Sequence, residues 1–100
     1  MIRVSKTFTR PNTSTNWWYQ TTDGAEFAAY RVATYGSKLS DATNAFSPNG
    51  LTWTYSVTWP SEADRSAAHA DPVFAAADAK RTSYNAAHSI TESASVITTI

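Results

Sequence analysis

Two histidines are the residues best suited to proton transfer, because the imidazole ring changes charge near neutral pH. His69 stands two residues before Asp71, and it could act as a general base or as a metal ligand. The alternative is a structural histidine at a helix end, beside a capping Asp71. His88 lies near the predicted C-terminus of another helix, where the helix dipole favours an imidazolium. We therefore take His69 as the candidate catalytic residue and interpret His88 as structural.

Aromatic side chains are the second group that could contact a small molecule. Trp17, Trp18 and Tyr19 form an aromatic cluster within a polar segment. They could cover an apolar pocket or stack on a flat ligand, or they could pack under a loop or at a subunit interface. The candidate ligand-binding residues are all aromatic: Trp17, Trp18, Tyr30, Tyr35, Trp59 and Tyr84.

Other chemistries have less support. The chain has no cysteine, which excludes thiol catalysis and thiolate metal sites. Arg31 and Arg81, both on predicted helices, could pair with a ligand carboxylate or lie on solvated helix faces. No metal and no cofactor is expected, because no recognised ligand spacing relates the available metal-binding side chains, His69, Asp71, His88 and Glu92.

The charge pattern limits the partners. Eight basic and eight acidic residues give a formal net charge of zero, and no run of Lys or Arg occurs. Nucleic acid and anionic membranes are therefore not expected as partners. Met1–Arg10 alternates instead of forming an apolar core, so it does not resemble a signal peptide. The apolar runs are too short to span a bilayer, and we expect a soluble cytoplasmic protein.

The segment Leu51–Trp59 predicts a central strand. Large apolar residues alternate there with Thr and Ser, which is the period of a strand with one buried face. Pro60 ends the strand, because proline has no N–H for a ladder hydrogen bond. Ser61, followed three residues later by Asp64, resembles a capping box and predicts a short helix to about Ala70.

The remaining elements follow from alternation, caps and turns. We expect a second helix to begin at Pro72 after an Asp71 cap, and Ser47-Pro48-Asn49-Gly50 to form a hairpin turn. Asp23 predicts the start of the first helix, and Gly36 predicts that this helix ends in a left-handed conformation. We expect Val32 on the buried face of the first helix and Val73 on the buried face of the helix that begins at Pro72. The other expected elements are strands Met1–Arg10, Lys38–Ser47 (an edge strand or one with a bulge) and Thr91–Ile100, and a helix Gly24–Tyr35.

The order strand, helix, strand, strand, helix, strand predicts a fold in the α+β class. It is the order of a ferredoxin-like βαββαβ plait, a single domain over residues 1–100 with a four-stranded antiparallel sheet and the helices on one face. Val96 and Ile97 point to opposite faces of the last strand, so we expect apolar side chains on both faces of the sheet. A second subunit packed sheet to sheet would cover the open face, which predicts a homodimer.

Two short stretches carry a family resemblance. Val57-Thr58-Trp59-Pro60-Ser61-Glu62 and His69-Ala70-Asp71-Pro72-Val73-Phe74 resemble the dimeric α+β barrel superfamily, which includes antibiotic-biosynthesis monooxygenase-like and NIPSNAP-like domains. Trp59, Ser61 and Phe74 occupy comparable places. The resemblance implies a homodimeric barrel with a ligand pocket between sheet and helices in each subunit.

The same resemblance argues against haem chemistry. Haem-degrading members use an Asn on the first strand, a Trp six residues before the Phe and a His four residues after it. This chain has Ala68 and Asp78 at the last two places, and Met1–Arg10 contains no Asn. The resemblance therefore does not imply haem oxygenase activity for this chain.

Three functions remain open. The first is a dimeric α+β barrel protein that binds a small apolar or aromatic ligand between sheet and helices. The second is a cofactor-independent monooxygenase-like enzyme that uses His69. The third is a purely structural oligomerisation unit. An open cavity would favour the first two, and a histidine at its wall would favour the second.

Overall fold

The computed structural model describes all residues from Met1 to Ile100 and confirms the α+β class. An antiparallel sheet packs against three helices. No helix combines the length and apolar character needed to cross a membrane. The strands are β1 (Ile2–Thr9), β2 (Ser40–Phe46), β3 (Thr52–Trp59), β4 (Thr91–Glu92) and β5 (Val96–Thr99), and the helices are α1 (Thr22–Tyr35), α2 (Glu62–Ala70) and α3 (Pro72–Ala87).

The sheet places β1 and β3 at its centre. The strand order is β2, β3, β1 and then β4, with β5 also pairing with β1, and every pairing is antiparallel. All three helices cover the same sheet face, since Ala68 of α2, Phe74 of α3 and Phe27 of α1 pack in one cluster with Val57 and Trp59 of β3. This arrangement is compatible with the predicted ferredoxin-like plait.

The predicted last strand is interrupted. β4 and β5 both pair with β1, with Glu92 opposite Phe8 and Val96 opposite Ser5. Four chain steps from Glu92 to Val96 therefore match three steps from Ser5 to Phe8, which is the signature of a bulge with one extra residue. The bulge turns Val96 to the outer face and leaves Ile97 on the face of the helices.

The outer face of the sheet corrects the predicted apolar back wall. Its central strands present hydroxyl groups there, with Ser5 hydrogen-bonded to Ser56 at 2.5 Å. The exposed apolar side chains on this side are Val96, Ile100 and Met1, at 61%, 63% and 64%, and all three lie along β5 and the adjoining start of β1. The last strand does carry apolar side chains on both faces, as expected, but the apolar outer surface is confined to this edge of the sheet and is narrower than the predicted wall. The homodimer stays a prediction. The outward side chains of β1 and β3 are Arg3, Ser5, Thr7, Thr9, Thr52, Thr54, Ser56 and Thr58.

Two of the predicted helix caps are confirmed. The Ser61 hydroxyl accepts a hydrogen bond from the Asp64 N–H at 3.1 Å, and the Asp71 carboxylate accepts one from the Val73 N–H at 2.9 Å. The Pro48–Gly50 turn and a bulge in β2 are also present, the latter as a register shift between Ser40 and Thr43. Local side-chain chemistry thus fixes these boundaries.

The ends of α1 differ from the prediction. Its N-cap is Thr21, whose hydroxyl accepts from the Gly24 N–H at 3.1 Å, and Asp23 lies inside the helix. Gly36 has φ −58°, so its conformation is right-handed and the predicted left-handed end is wrong. Val32 and Val73 are 68% and 48% exposed, because the larger Phe27 and Phe74 take the sheet-facing positions of α1 and α3.

Candidate functional site

A cavity of about 420 Å³ lies between the sheet and the helices. Its floor is the helix-facing side of β1 and β3, and its roof comes from α1, α2 and α3. More than half of its lining residues are hydrophobic, and aromatic rings dominate. The aromatic residues of its wall are Phe8, Trp18, Tyr19, Phe27, Phe46, Trp53, Tyr55, Trp59 and Phe74.

Trp53 is the centre of the aromatic floor. Its ring stacks on Phe8 with centroids 4.9 Å apart and planes at 23°, and it lies nearly parallel to Phe46 at 6.4 Å. Tyr19 approaches the same ring to 4.8 Å. The indole N–H donates to the Asn44 side-chain oxygen at 2.9 Å, which fixes the ring orientation. The floor is therefore a cluster of aromatic rings centred on Trp53, and such rings pack favourably against an aromatic or apolar ligand.

Three of the predicted site residues meet at this cavity. Trp18, Trp59 and His69 all contribute to its wall. Trp17 does not, and it packs instead in a second core cluster with Phe8 and Ile90. The adjacent tryptophans thus have different positions, one structural and one at the cavity.

Tyr30 and Tyr35 lie away from this cavity and bind Asp71 instead. Their hydroxyls donate to the same carboxylate oxygen at 2.5 and 2.7 Å. The hydrogen bond to Asp71 raises the pKa of Tyr30 above its ordinary value and that of Tyr35 to about 12. Those two hydrogen bonds, with the one from the Val73 N–H, lower the pKa of Asp71. The cluster holds α1 against the junction of α2 and α3.

Tyr84 also lies outside the cavity wall. Its hydroxyl donates to the Asn16 carbonyl oxygen at 2.6 Å, and its ring stacks on His88 at 4.0 Å. His88 Nδ1 lies 2.8 Å from the Tyr84 carbonyl oxygen, at the end of α3. Tyr84 therefore connects α3 to the loop before Trp17.

His69 has a different carboxylate partner from the one its sequence neighbourhood predicts. Its Nδ1 lies 3.0 Å from Asp78 of α3, whereas the oxygens of Asp71 are occupied by the tyrosines and the helix cap. Arg81 donates to the other oxygen of Asp78 at 2.8 Å. Burial alone would raise the pKa of Asp78, but the hydrogen bond from His69 and the charge of Arg81 outweigh it and lower that pKa. Asp78 is therefore a stable carboxylate that orients the imidazole.

The candidate site residues predicted from the sequence do not include Lys6 or Tyr55. Lys6 interrupts the otherwise apolar cavity-facing positions of β1, and Tyr55 is its direct cross-strand neighbour on β3. Arg31 of α1 donates to the Tyr55 hydroxyl, and its guanidinium lies 4.8 Å from the Tyr55 ring centroid. The signal in the sequence was the single cation in an alternating apolar strand face.

The fold and the cavity define a small α+β protein with an aromatic, ligand-sized space between sheet and helices. No group of three or more His, Asp or Glu side chains is placed to hold a metal ion. No family model, curated protein or solved structure matches the chain. Its function must therefore be inferred from the cavity itself.

Proposed function

We propose that the protein binds a small, flat, largely apolar molecule in the cavity between sheet and helices. The observation that carries this proposal is the aromatic-lined cavity between the sheet and the helices. Its volume of about 420 Å³ falls in the size range of small-molecule sites. A purely structural unit would fill that space with side chains. The resemblance to dimeric α+β barrels supports the same location for a ligand, in a protein that would act as a homodimer.

Filling the cavity should block binding. Ala28 of α1 contributes to the cavity wall, whereas the adjacent Ala29 does not. We expect Ala28→Trp to weaken binding of N-phenylnaphthylamine, a neutral aromatic probe, by about tenfold or more. The probe's fluorescence enhancement in a titration gives the dissociation constant.

The matched control is Ala29→Trp, which adds the same ring on the same helix outside the cavity. Both alanines are exposed, so both variants should keep the wild-type circular dichroism spectrum. Wild-type protein that fails to bind the probe, or a folded Ala28→Trp variant that binds it as well as Ala29→Trp does, would contradict the proposal.

A second candidate function is catalysis, and the His69–Asp78 pair favours it. With Nδ1–H donating to Asp78, Nε2 of the neutral ring keeps its lone pair and has no protein partner. A histidine so oriented at a cavity wall can act as a general base toward an acidic group of a bound molecule. The resulting aromatic anion would supply the electrons itself: it transfers one to dioxygen, a ring carbon then combines with the reduced oxygen to give a hydroperoxide, and loss of water from that hydroperoxide leaves one oxygen atom on the ring as a quinone carbonyl. This is the chemistry of a cofactor-independent monooxygenase.

Removing the imidazole should separate catalysis from binding. With dihydroxynaphthalene as substrate, we expect His69→Ala to lower protein-dependent oxygen uptake by about 100-fold, within the range of general-base contributions. Binding of N-phenylnaphthylamine should be unchanged. His88→Ala is the matched control, because His88 lies outside the cavity and should leave oxygen uptake unaffected. An oxygen electrode measures the rate, and uptake no faster than in buffer, or insensitive to His69→Ala, would reject this candidate.

A further inference from the structure

The cavity holds more positive than negative charge. Asp78 is the only carboxylate in its wall, and it is already bound to His69 and Arg81. The charge of Arg65 is also neutralised, because Arg65 forms a salt bridge of 3.0 Å with Glu62. The two remaining cations of the wall, Lys6 and Arg31, make no salt bridge with any residue of the chain.

Lys6 occupies an unusual position for a lysine. It lies in the middle of the central strand β1, half-buried and directed to the cavity face, between positions filled by Val4 and Phe8. Its ammonium group forms no hydrogen bond with another residue. An ammonium group without a partner in the chain can therefore pair with an anion in the cavity through charge-assisted hydrogen bonds.

Arg31 carries the clearest sign of a missing partner. Its Nε is the one buried side-chain nitrogen or oxygen of the structure that lacks a hydrogen-bond partner. The guanidinium is held in place by the hydroxyl and the ring of Tyr55. Buried polar groups without partners are rare in native proteins, so this donor is suited to a ligand acceptor.

Tyr55 brings the two cations to the same part of the cavity. It is the register partner of Lys6 across β1 and β3, and directly opposed side chains in a sheet are close neighbours. It also binds Arg31 through its hydroxyl. One anionic group could therefore receive hydrogen bonds from both cations, while a ring attached to it lies on the aromatic floor at Trp53.

We infer that the cavity selects an aromatic acid, a planar ring system bearing a carboxylate. Arg31 Nε–H and the Lys6 ammonium would donate to the carboxylate oxygens, and the aromatic side chains of the cavity wall would pack against the ring. Charge-assisted hydrogen bonds of this kind are stronger than neutral ones. This inference rests on the proposed function and adds the chemical class of its ligand.

The test compares naphthoate with naphthamide, which share the ring but differ in charge. We expect the wild-type protein to bind naphthoate about tenfold or more tightly than naphthamide in isothermal titration calorimetry. Lys6→Met and Arg31→Met should each reduce that preference to about threefold or less, with little change in naphthamide affinity. Lys80→Met is the matched control, because Lys80 is 61% exposed and lies outside this cavity.

The outcomes distinguish the inference of acid selection from the proposed binding of aromatic molecules. Equal affinity for both compounds would overturn acid selection and leave aromatic binding intact, whereas no binding of either, or of N-phenylnaphthylamine, would overturn both. A preference that survives in Lys6→Met and Arg31→Met would also overturn the inference. Should Arg31→Met fail to fold, Arg31→Lys, which keeps the charge but lacks Nε, must still lower the preference.

Discussion

Replacing Trp59 with alanine is expected to lower the free energy of unfolding by about 3 to 5 kcal/mol. Trp59 is 3% exposed and lies at the end of β3, opposite Ile2 of β1. It packs in the main core cluster with Ala68 and Phe74, and Tyr35 meets its ring edge-on at 6.2 Å. The substitution removes these contacts and leaves a void that the surrounding β-sheet can close only in part.

Chemical denaturation followed by circular dichroism measures this loss. Val32→Ala is the control, because Val32 is 68% exposed on α1, and it should change stability by no more than about 0.5 kcal/mol. A cost below about 1 kcal/mol for Trp59→Ala would show that the ring is not packed in the core. A large loss of stability in Val32→Ala would instead show that Val32 is buried, as the sequence pattern predicts.

Replacing Gly24 with alanine is expected to destabilise the protein by about 2 to 3 kcal/mol, through overpacking against backbone. This expected change in stability is opposite in sign to the usual one, because replacing Gly with Ala within a helix normally stabilises a protein by up to about 1 kcal/mol. Gly24 is buried in the first turn of α1, under the short 3₁₀ helix Trp18–Gln20. An added Cβ would overlap the Trp18 carbonyl oxygen and lie 2.7 Å from the Tyr19 Cα.

The neighbouring backbone cannot easily move aside. The Trp18 carbonyl oxygen already accepts hydrogen bonds from the Thr21 N–H at 3.0 Å and the Thr21 hydroxyl at 2.6 Å. Displacing it would disturb the N-cap of α1 and also Trp18, which lines the cavity. We therefore expect Gly24→Ala to weaken binding of N-phenylnaphthylamine as well as stability.

The adjacent residue supplies the comparison. Ala25 is exposed in the same turn, so Ala25→Gly tests helix propensity without a packing effect and should cost about 1 kcal/mol. Propensity alone predicts opposite signs for the two substitutions, whereas the structure predicts that both destabilise. Thermal unfolding monitored by circular dichroism decides between them, and a stabilised Gly24→Ala variant would contradict the close approach of the 3₁₀ helix.

Much of the fold could be predicted from the sequence because the determinants are local. The alternation in Leu51–Trp59 requires only that one strand face be buried, and Ser61 and Asp71 cap their helices through bonds to residues two or three positions away. The hairpin turn before β3 is equally local. Each of these features depends on neighbours that the chain itself supplies.

Pairing between strands decided where the bulge between β4 and β5 lies. It also decided which side chains the outer face of the sheet presents. Val96 lies outward because an extra residue is accommodated opposite β1, and no pattern within Thr91–Ile100 specifies that register. Residues distant in the chain made these choices. The cap of α1 is different, because the Thr21 hydroxyl accepts from the Gly24 N–H only three residues away, so this local signal competes with the Asp23 pattern.

The sequence by itself determined which side chains are available at the site, and only the tertiary structure decided how they pair. His69 could be selected from its chemistry, but α3 places Asp78 beside it, and Asp71 is bound instead to Tyr30 and Tyr35 of α1. Lys6 and Arg31 are likewise related only through Tyr55, which lies opposite Lys6 in the sheet and accepts a hydrogen bond from Arg31. These contacts join side chains of different helices and strands over a few ångströms, so only the packing of those elements brings the partners together.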